Sequence, residues 1–335
     1  MNDDDHRNLL GICIPTYNRR AYLRYCLDSI ISEFSKFNFP IYISDNASDD
    51  GTEEDIIRLK QTYENITYAR NSINIGPYRN ILNVISMANT DYIWLMGDDD
   101  AIKENSVYEI VKLLQNDFDF IVLNSISCSN DLKRVKADKI IKCSNNKLYP
   151  RGSHDNLFYD LRKWSYHGYM SSMVIRRDLL LNVIPDYEDK RFVLYDNSWL
   201  PLAMFYEAIK GESGIFMCEP VVLNRDNTRH SGKDFWNYTY VDRIMAYEYL
   251  HLKGYTHKVL KKSLNFNIAG MIFIATVAKY RDTKTFIFNK FIKTNKLIPF
   301  HIKLVIIAID KMPSLVVMKI AKVINNIVPF SEVRE

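Results

Sequence analysis

Five short apolar runs, each followed by a polar loop and then a stretch of helical period, constrain this chain more than any other feature. They occupy residues 9–14, 41–44, 66–69, 92–96 and 120–123. Runs of that length, rich in β-branched and aromatic residues, read as strands buried on both faces. Between the first two, Leu23, Leu27, Ile30 and Phe34 keep the spacing of one buried helix face. Thr52 with Asp55 is expected to cap a helix through residue 63, and Pro77 to open another whose inner face is Ile81, Ile85 and Ala88. A further helix is expected over 104–114. Strand and helix alternating in this way predict an α/β fold, a mostly parallel sheet with helices on both faces.

The fourth run ends on Gly97-Asp98-Asp99-Asp100. Three adjacent carboxylates do not all ionise cheaply without a counter-charge, and the carboxyl edge of an open α/β sheet is where ligands bind. Hard carboxylate oxygens suit Mg²⁺ or Mn²⁺ shared with a substrate diphosphate. Asp is also a turn and cap residue, so the triplet alone admits a purely local role.

With 11 glycines and neither a GxGxxG nor a GxxxxGK[ST] pattern, the chain offers no glycine-rich phosphate cradle. Cys13, Cys26, Cys128, Cys143 and Cys218 are odd in number and never spaced as CxxC, which reads as buried or incidental thiols in a reducing cytoplasm. The acidic start is unlike a secretory signal, and the apolar stretch 268–278 is too short to span a bilayer.

Residues 251–335 hold 15 Lys+Arg against 4 Asp+Glu, a net of +11, whereas residues 1–250 hold 29 against 36, a net of −7. Lysines there alternate with apolar helical stretches such as 304–309. That pattern suits an amphipathic surface meeting anionic lipid, or a helical cap whose lysines face water. Nucleic acid is not expected as a partner, because arginines and stacking aromatics do not form a stripe. The expected organisation is 1–125, 126–250 and a basic helical tail, 251–335. In the middle part, residues 127–148 form a polar excursion, followed by a helix near 157–164, a strand over 171–177, a helix opened by Asp196, a strand over 214–223 and an aromatic-rich helix over 235–250.

Four segments fall at strand ends in register: Pro15-Thr16-Tyr17-Asn18-Arg19, Ser44-Asp45-Asn46-Ala47-Ser48-Asp49-Asp50-Gly51-Thr52, Asn74-Ile75-Gly76 with Arg79-Asn80, and the acidic triplet. Together they resemble the family 2 glycosyltransferases of GT-A, Rossmann-like fold, over residues 9–115 and more weakly to about 235. Within that family the chain resembles the bacterial O-antigen and polysaccharide enzymes of the abequosyltransferase type, which share the Trp-Leu-Met-Gly-Asp-Asp-Asp ending.

The resemblance implies a nucleoside-diphosphate sugar donor held by Pro15, Thr16, Tyr17, Asn18 and Asp45, with Arg79, Asn80 and Asp98 near ribose or phosphates. It implies a divalent cation, Mn²⁺ or Mg²⁺, on Asp99 and Asp100, with His230 a candidate to complete the shell. Because the family motif often reads Asp-Ala-Asp-Asp, alignment leaves open which of the three aspartates touch metal, in the order Asp100, Asp99, Asp98. Arg225, Arg229 and His230 fall where relatives close over the diphosphate. Asp196 stands where the family places its general base, in Asp-Asn instead of the usual acidic pair, with Asp189 and Glu188 as alternatives. The implied acceptor is a lipid-linked oligosaccharide at the inner face of the plasma membrane. The competing expectation is a non-catalytic scaffold with a degenerate transferase fold; oligomeric state is left open.

Overall fold

Ten strands form one sheet, and its register explains where the loops go. In the computed structural model, which describes residues 8–163, 168–188, 200–225, 243–264 and a few positions between 303 and 316, the first strands are β1 (Leu10–Thr16), β2 (Ile41–Asp45), β3 (Ile66–Arg70) and β4 (Tyr92–Leu95). All pair in parallel in the order β3-β2-β1-β4. Thr16 lies opposite Asp45, and Asp45 opposite Arg70, so these three strands stop level. Cys13 pairs with Leu95, and Met96 N–H donates to Cys13 O at 3.0 Å, which brings the acidic residues that follow alongside Thr16.

The rest of the sheet is more mixed than simple alternation predicts. β5 (Ala101–Ile102), β6 (Phe120–Cys128), β7 (Val135–Ala137), β8 (Lys147–Tyr149), β9 (Met173–Arg176) and β10 (Gly214–Arg225) complete it. β9 enters antiparallel between β4 and β6, while β10 runs parallel to β6. β5, β7 and β8 are short antiparallel additions, β7 and β8 lying inside the excursion read as irregular. Two or three residues carry too little periodicity to be read as strands.

Period-2 alternation then sorts the helices. Leu10, Ile12 and Ile14 share a core with Leu23, Leu27, Ile30 and Phe34 of α1 (Arg20–Phe34), with α2 (Thr52–Lys60) and with α4 (Val107–Leu114). Cys13 faces the other way, its thiol donating to Val84 O of α3 (Pro77–Met87). α6 (Arg177–Glu188) packs against α3 on that side, and α7 (Leu200–Ala208) against α6; α5 (His154–Lys163) lies by β8. The chain divides into two compact units, residues 1–232 and 233–335, and the second contains α8 (Arg243–Leu252) and α9 (His257–Leu264). No described helix is long and apolar enough to cross a membrane.

Three expectations are corrected. Thr52 does not cap α2: Gly51 holds the N-cap position, Thr52 stands in the first turn donating to Asp50, and the helix ends at Lys60. The helix expected from 104 begins at Val107, because Asn105 takes a left-handed φ of 57°. Cys143 and Cys218 are bonded, because the excursion returns over β10 and brings their Cα atoms to 5.8 Å; Cys13, Cys26 and Cys128 are free and buried.

The start of α4 is capped from α1. Glu33, 2% exposed, accepts from the N–H groups of Asn105, Ser106 and Val107 at 2.8, 3.0 and 3.3 Å and from Lys36 Nζ at 2.7 Å. It therefore satisfies donors that a helix start leaves orphaned, with its charge at the positive end of the dipole. Burial pushes its carboxyl up, but Lys36 and the backbone donors outweigh that and hold it below its ordinary value. Glu33→Gln should cost about 2 kcal/mol at pH 7, because an amide presents hydrogens to those N–H groups. A depressed folded-state value means the charge contributes above the unfolded value of about 4.3 and is lost as pH falls through the folded one. Denaturant unfolding of both proteins at pH 7 and pH 3.5 should show the gap closing at the lower pH; a constant gap would contradict it.

Candidate active site

The loops after β1, β2 and β4 are stitched into one edge by side chains that the sequence pattern singles out. Asn18, at φ 50°, donates its N–H to Ser48 Oγ at 2.9 Å and accepts through Oδ1 from the N–H of Asp49 at 2.9 Å. Asn46 N–H donates to Thr16 O at 2.9 Å. Tyr17 is 44% exposed at the tip and presents a ring face suited to stacking. Asp45 is fully buried: Oδ1 accepts from Ser48 N–H and Oδ2 from the Tyr68 hydroxyl, both at 2.8 Å.

Asn80 is also buried, accepting from Ser44 Oγ at 2.7 Å and Asn71 Nδ2 at 2.9 Å while donating to Ser44 O at 2.8 Å. It joins β2 to the loop before α3. Its neighbour Arg79 is exposed on α3. Asn46 extends the amide network, donating to Asn74 Oδ1 at 2.7 Å and accepting from Ile75 N–H at 2.9 Å. Pro15 is half-buried just before Thr16.

The acidic triplet occupies the tight connection between β4 and β5. Thr16 Oγ1 donates to Asp98 Oδ2 at 2.8 Å, closing the first loop onto it. Arg19 Nη1 bridges Asp98 Oδ1 at 3.1 Å and Asp99 Oδ2 at 2.8 Å. Asp100 Oδ2 accepts from Ser171 Oγ at 2.6 Å and Tyr169 Oη at 2.8 Å, and its Oδ1 from Arg225 N–H at 3.1 Å. Gly97 permits the crowding: a Cβ there would stand 3.0 Å from Asp99 Oδ1.

Burial dominates the electrostatics. It pushes the Asp98 carboxyl up to about 6 against the pull of Arg19, with Asp99 adding repulsion. Asp100 rises for the same reasons, burial first and then Asp99, despite the hydroxyls of Ser171 and Tyr169. Such a cluster favours an added positive charge.

The donor set suits a hard divalent cation in kind, being carboxylate oxygens at a ligand-binding edge. Among the described residues Asp99 Oδ1 accepts no hydrogen bond, which leaves it available for coordination. No three Asp, Glu, His or Cys side chains among the described residues converge on one ion position. His230, Arg229, Asp189 and Asp196 lie outside the described residues, as does the side chain of Glu188.

Four side chains at the triplet were not assigned there from sequence. Arg19 carries only a motif position, and Ser171 only a place at the start of the strand expected over 171–177. Nothing local marks Tyr169. Arg225 was expected to face a diphosphate; it is buried at the end of β10, with Nε donating to Asp99 O at 2.7 Å and Nη1 to Asn130 O. Its guanidinium carbon also stands 4.9 Å from the ring centre of Tyr22. These contacts depend on β9 and β10 flanking the loop, which sequence order conceals.

Known proteins share this arrangement of chain. The profile of the family described as Glycosyl transferase family 2 matches residues 11–183. Abequosyltransferase RfbV of Salmonella typhimurium is 37% identical over 184 residues, 51% of this chain and 53% of that protein. The GalNAc(5)-diNAcBac-PP-undecaprenol beta-1,3-glucosyltransferase of Campylobacter jejuni is 26% identical over 104 residues, 31% of this chain and 33% of that protein. These matches span about half and a third of the relatives' own lengths. Among solved structures, S. aureus TarS 1-349 in complex with UDP-GlcNAc superposes with a TM-score of 0.60 over 95% of this chain and 90% of that one. At 13% identity that likeness concerns the fold. The profile takes in β1 to β4, the acidic loop and β9 and so covers more than half of the residues, and on that extent the chain belongs to glycosyl transferase family 2.

Proposed function

We propose that this protein transfers a sugar from a nucleoside diphosphate to a hydroxyl of a lipid-linked oligosaccharide during O-antigen or other surface polysaccharide synthesis. The observation that carries the reading is the Thr16 to Asp98 hydrogen bond, which joins the first loop to the acidic triplet at one sheet edge. Tyr17 offers a face for the base, and the Asp45 loop, pre-ordered by Ser48 and Tyr68, lies beside it.

Asp99 and Asp100, with His230, would hold Mn²⁺ or Mg²⁺, a charge that stabilises the departing diphosphate. Asp196 would take the acceptor proton, giving direct displacement with inversion at the anomeric carbon. Support for a lipid-linked acceptor comes from the undecaprenol in the name of the Campylobacter relative. Support for a place on the inner leaflet comes from the net +11 of residues 251–335, since each Lys near an anionic leaflet is worth about 1 kcal/mol.

The test is thermal unfolding with UDP, CDP, GDP and dTDP, each with and without Mn²⁺. One nucleotide at a hundredfold over its dissociation constant should stabilise the protein by about 2.7 kcal/mol, and more strongly with Mn²⁺. No shift with any of the four would reject the donor reading.

A further inference from the structure

We propose that Arg19 is an exchangeable counter-ion of the acidic triplet: it holds Asp98 and Asp99 together until a divalent cation binds the triplet, then turns to an anionic group of the donor. The second step rests on the nucleotide-sugar reading above; the first does not.

Among the described residues two guanidinium groups stand at the triplet, and they are committed differently. Arg225 is tied to the carbonyls of Asp99 and Asn130 and stacked near Tyr22, none of which a cation would displace. Among the described residues Arg19 is bonded through Nη1 alone, and only to carboxylate oxygens. A dication on the triplet would stand within a few ångströms of that like charge, which weakens the hold of Arg19 on the carboxylates.

Arg19 is built to leave. It is the residue preceding α1, at φ −134° and ψ 36°, and its side chain makes no cap hydrogen bond, so it turns without disturbing the helix. The side chain is 27% exposed and borders an open hollow of about 510 Å³ lined also by Asn18, Arg20 and Tyr22. Its planar, permanently charged fork then suits phosphate oxygens.

The test is Mn²⁺ binding by electron paramagnetic resonance on the full chain, comparing wild type with Arg19→Gln and Arg19→Lys. Without nucleotide, Arg19→Gln should bind Mn²⁺ at least tenfold more tightly than wild type, and Arg19→Lys, which keeps the positive charge as a compact ammonium on a different stem, by an intermediate factor. With Mn²⁺ saturating, the nucleoside diphosphate that stabilises wild type should bind Arg19→Gln at least tenfold more weakly. Equal or weaker Mn²⁺ binding by both variants, or no Mn²⁺ binding by any of the three proteins, would overturn the proposal. If the Mn²⁺ arm behaves as expected while no nucleotide binds wild type, the donor reading fails and the counter-ion role stands. Should Arg19→Gln fail to fold, Arg19→Lys carries the comparison alone.

Discussion

Asp100→Ala should lower sugar transfer by about a thousandfold or more while the protein stays folded. Of the three aspartates, Asp100 has the most support, accepting from Tyr169, Ser171 and the Arg225 N–H. Those donors fix where its oxygens point, which is what a cation or a developing charge requires. Each 1.36 kcal/mol of lost transition-state stabilisation is tenfold in rate, so losing about 4 kcal/mol of charge stabilisation gives three orders of magnitude. Stability should change little. Removing the carboxylate strands three donors, at about 1–3 kcal/mol each when they stay dry, but it also relieves the burial and Asp99 repulsion that push its carboxyl up, and water enters the space left. The check is kcat together with the Mn²⁺-dependent thermal shift. Activity within tenfold of wild type, or an intact shift, would remove Asp100 from the site.

Asp196→Asn should reduce transfer by a factor of about 10²–10⁴, the span that a positioned general base supplies, while leaving donor binding untouched. The reasoning is chemical: displacement at the anomeric carbon needs the acceptor hydroxyl to lose a proton, and an amide of the same shape does not take it. The contrast with Asp100→Ala is diagnostic, since that change should abolish the nucleotide shift and Asp196→Asn should not. The pH profile offers a second readout, because the acidic limb governed by the base should flatten in the variant. Full activity in Asp196→Asn would pass the role to Asp189 or Glu188, which the same assay tests next.

The strands, helices and chemistry-bearing loops of residues 9–123 are local properties, and they stand close to where pattern reading puts them. An apolar run such as 92–96 has few alternatives to a buried strand, and Leu23, Leu27, Ile30 and Phe34 have few alternatives to one helix face. The parallel β3-β2-β1-β4 order follows because right-handed crossovers leave few arrangements. The convergence of Thr16 and Asp98 follows in turn, since register carries both to one edge.

What the sequence by itself determined, then, is the family of loops and the acidic edge they share, because period and strand ends are written in adjacent residues. Only the tertiary structure decided which side chains hold that edge in place. Arg19 reaches the triplet across about 80 positions, Tyr169 and Ser171 across about 70, and Arg225 across 125. β9 is placed antiparallel between β4 and β6, and β10 is bent back onto β5. The bond from Cys143 to Cys218, 75 residues apart, and the capping of α4 by Glu33 from α1 have the same origin. Each is a contact between elements distant in sequence, specified by burial and hydrogen-bond satisfaction in the assembled core, where no single stretch of the chain carries the information.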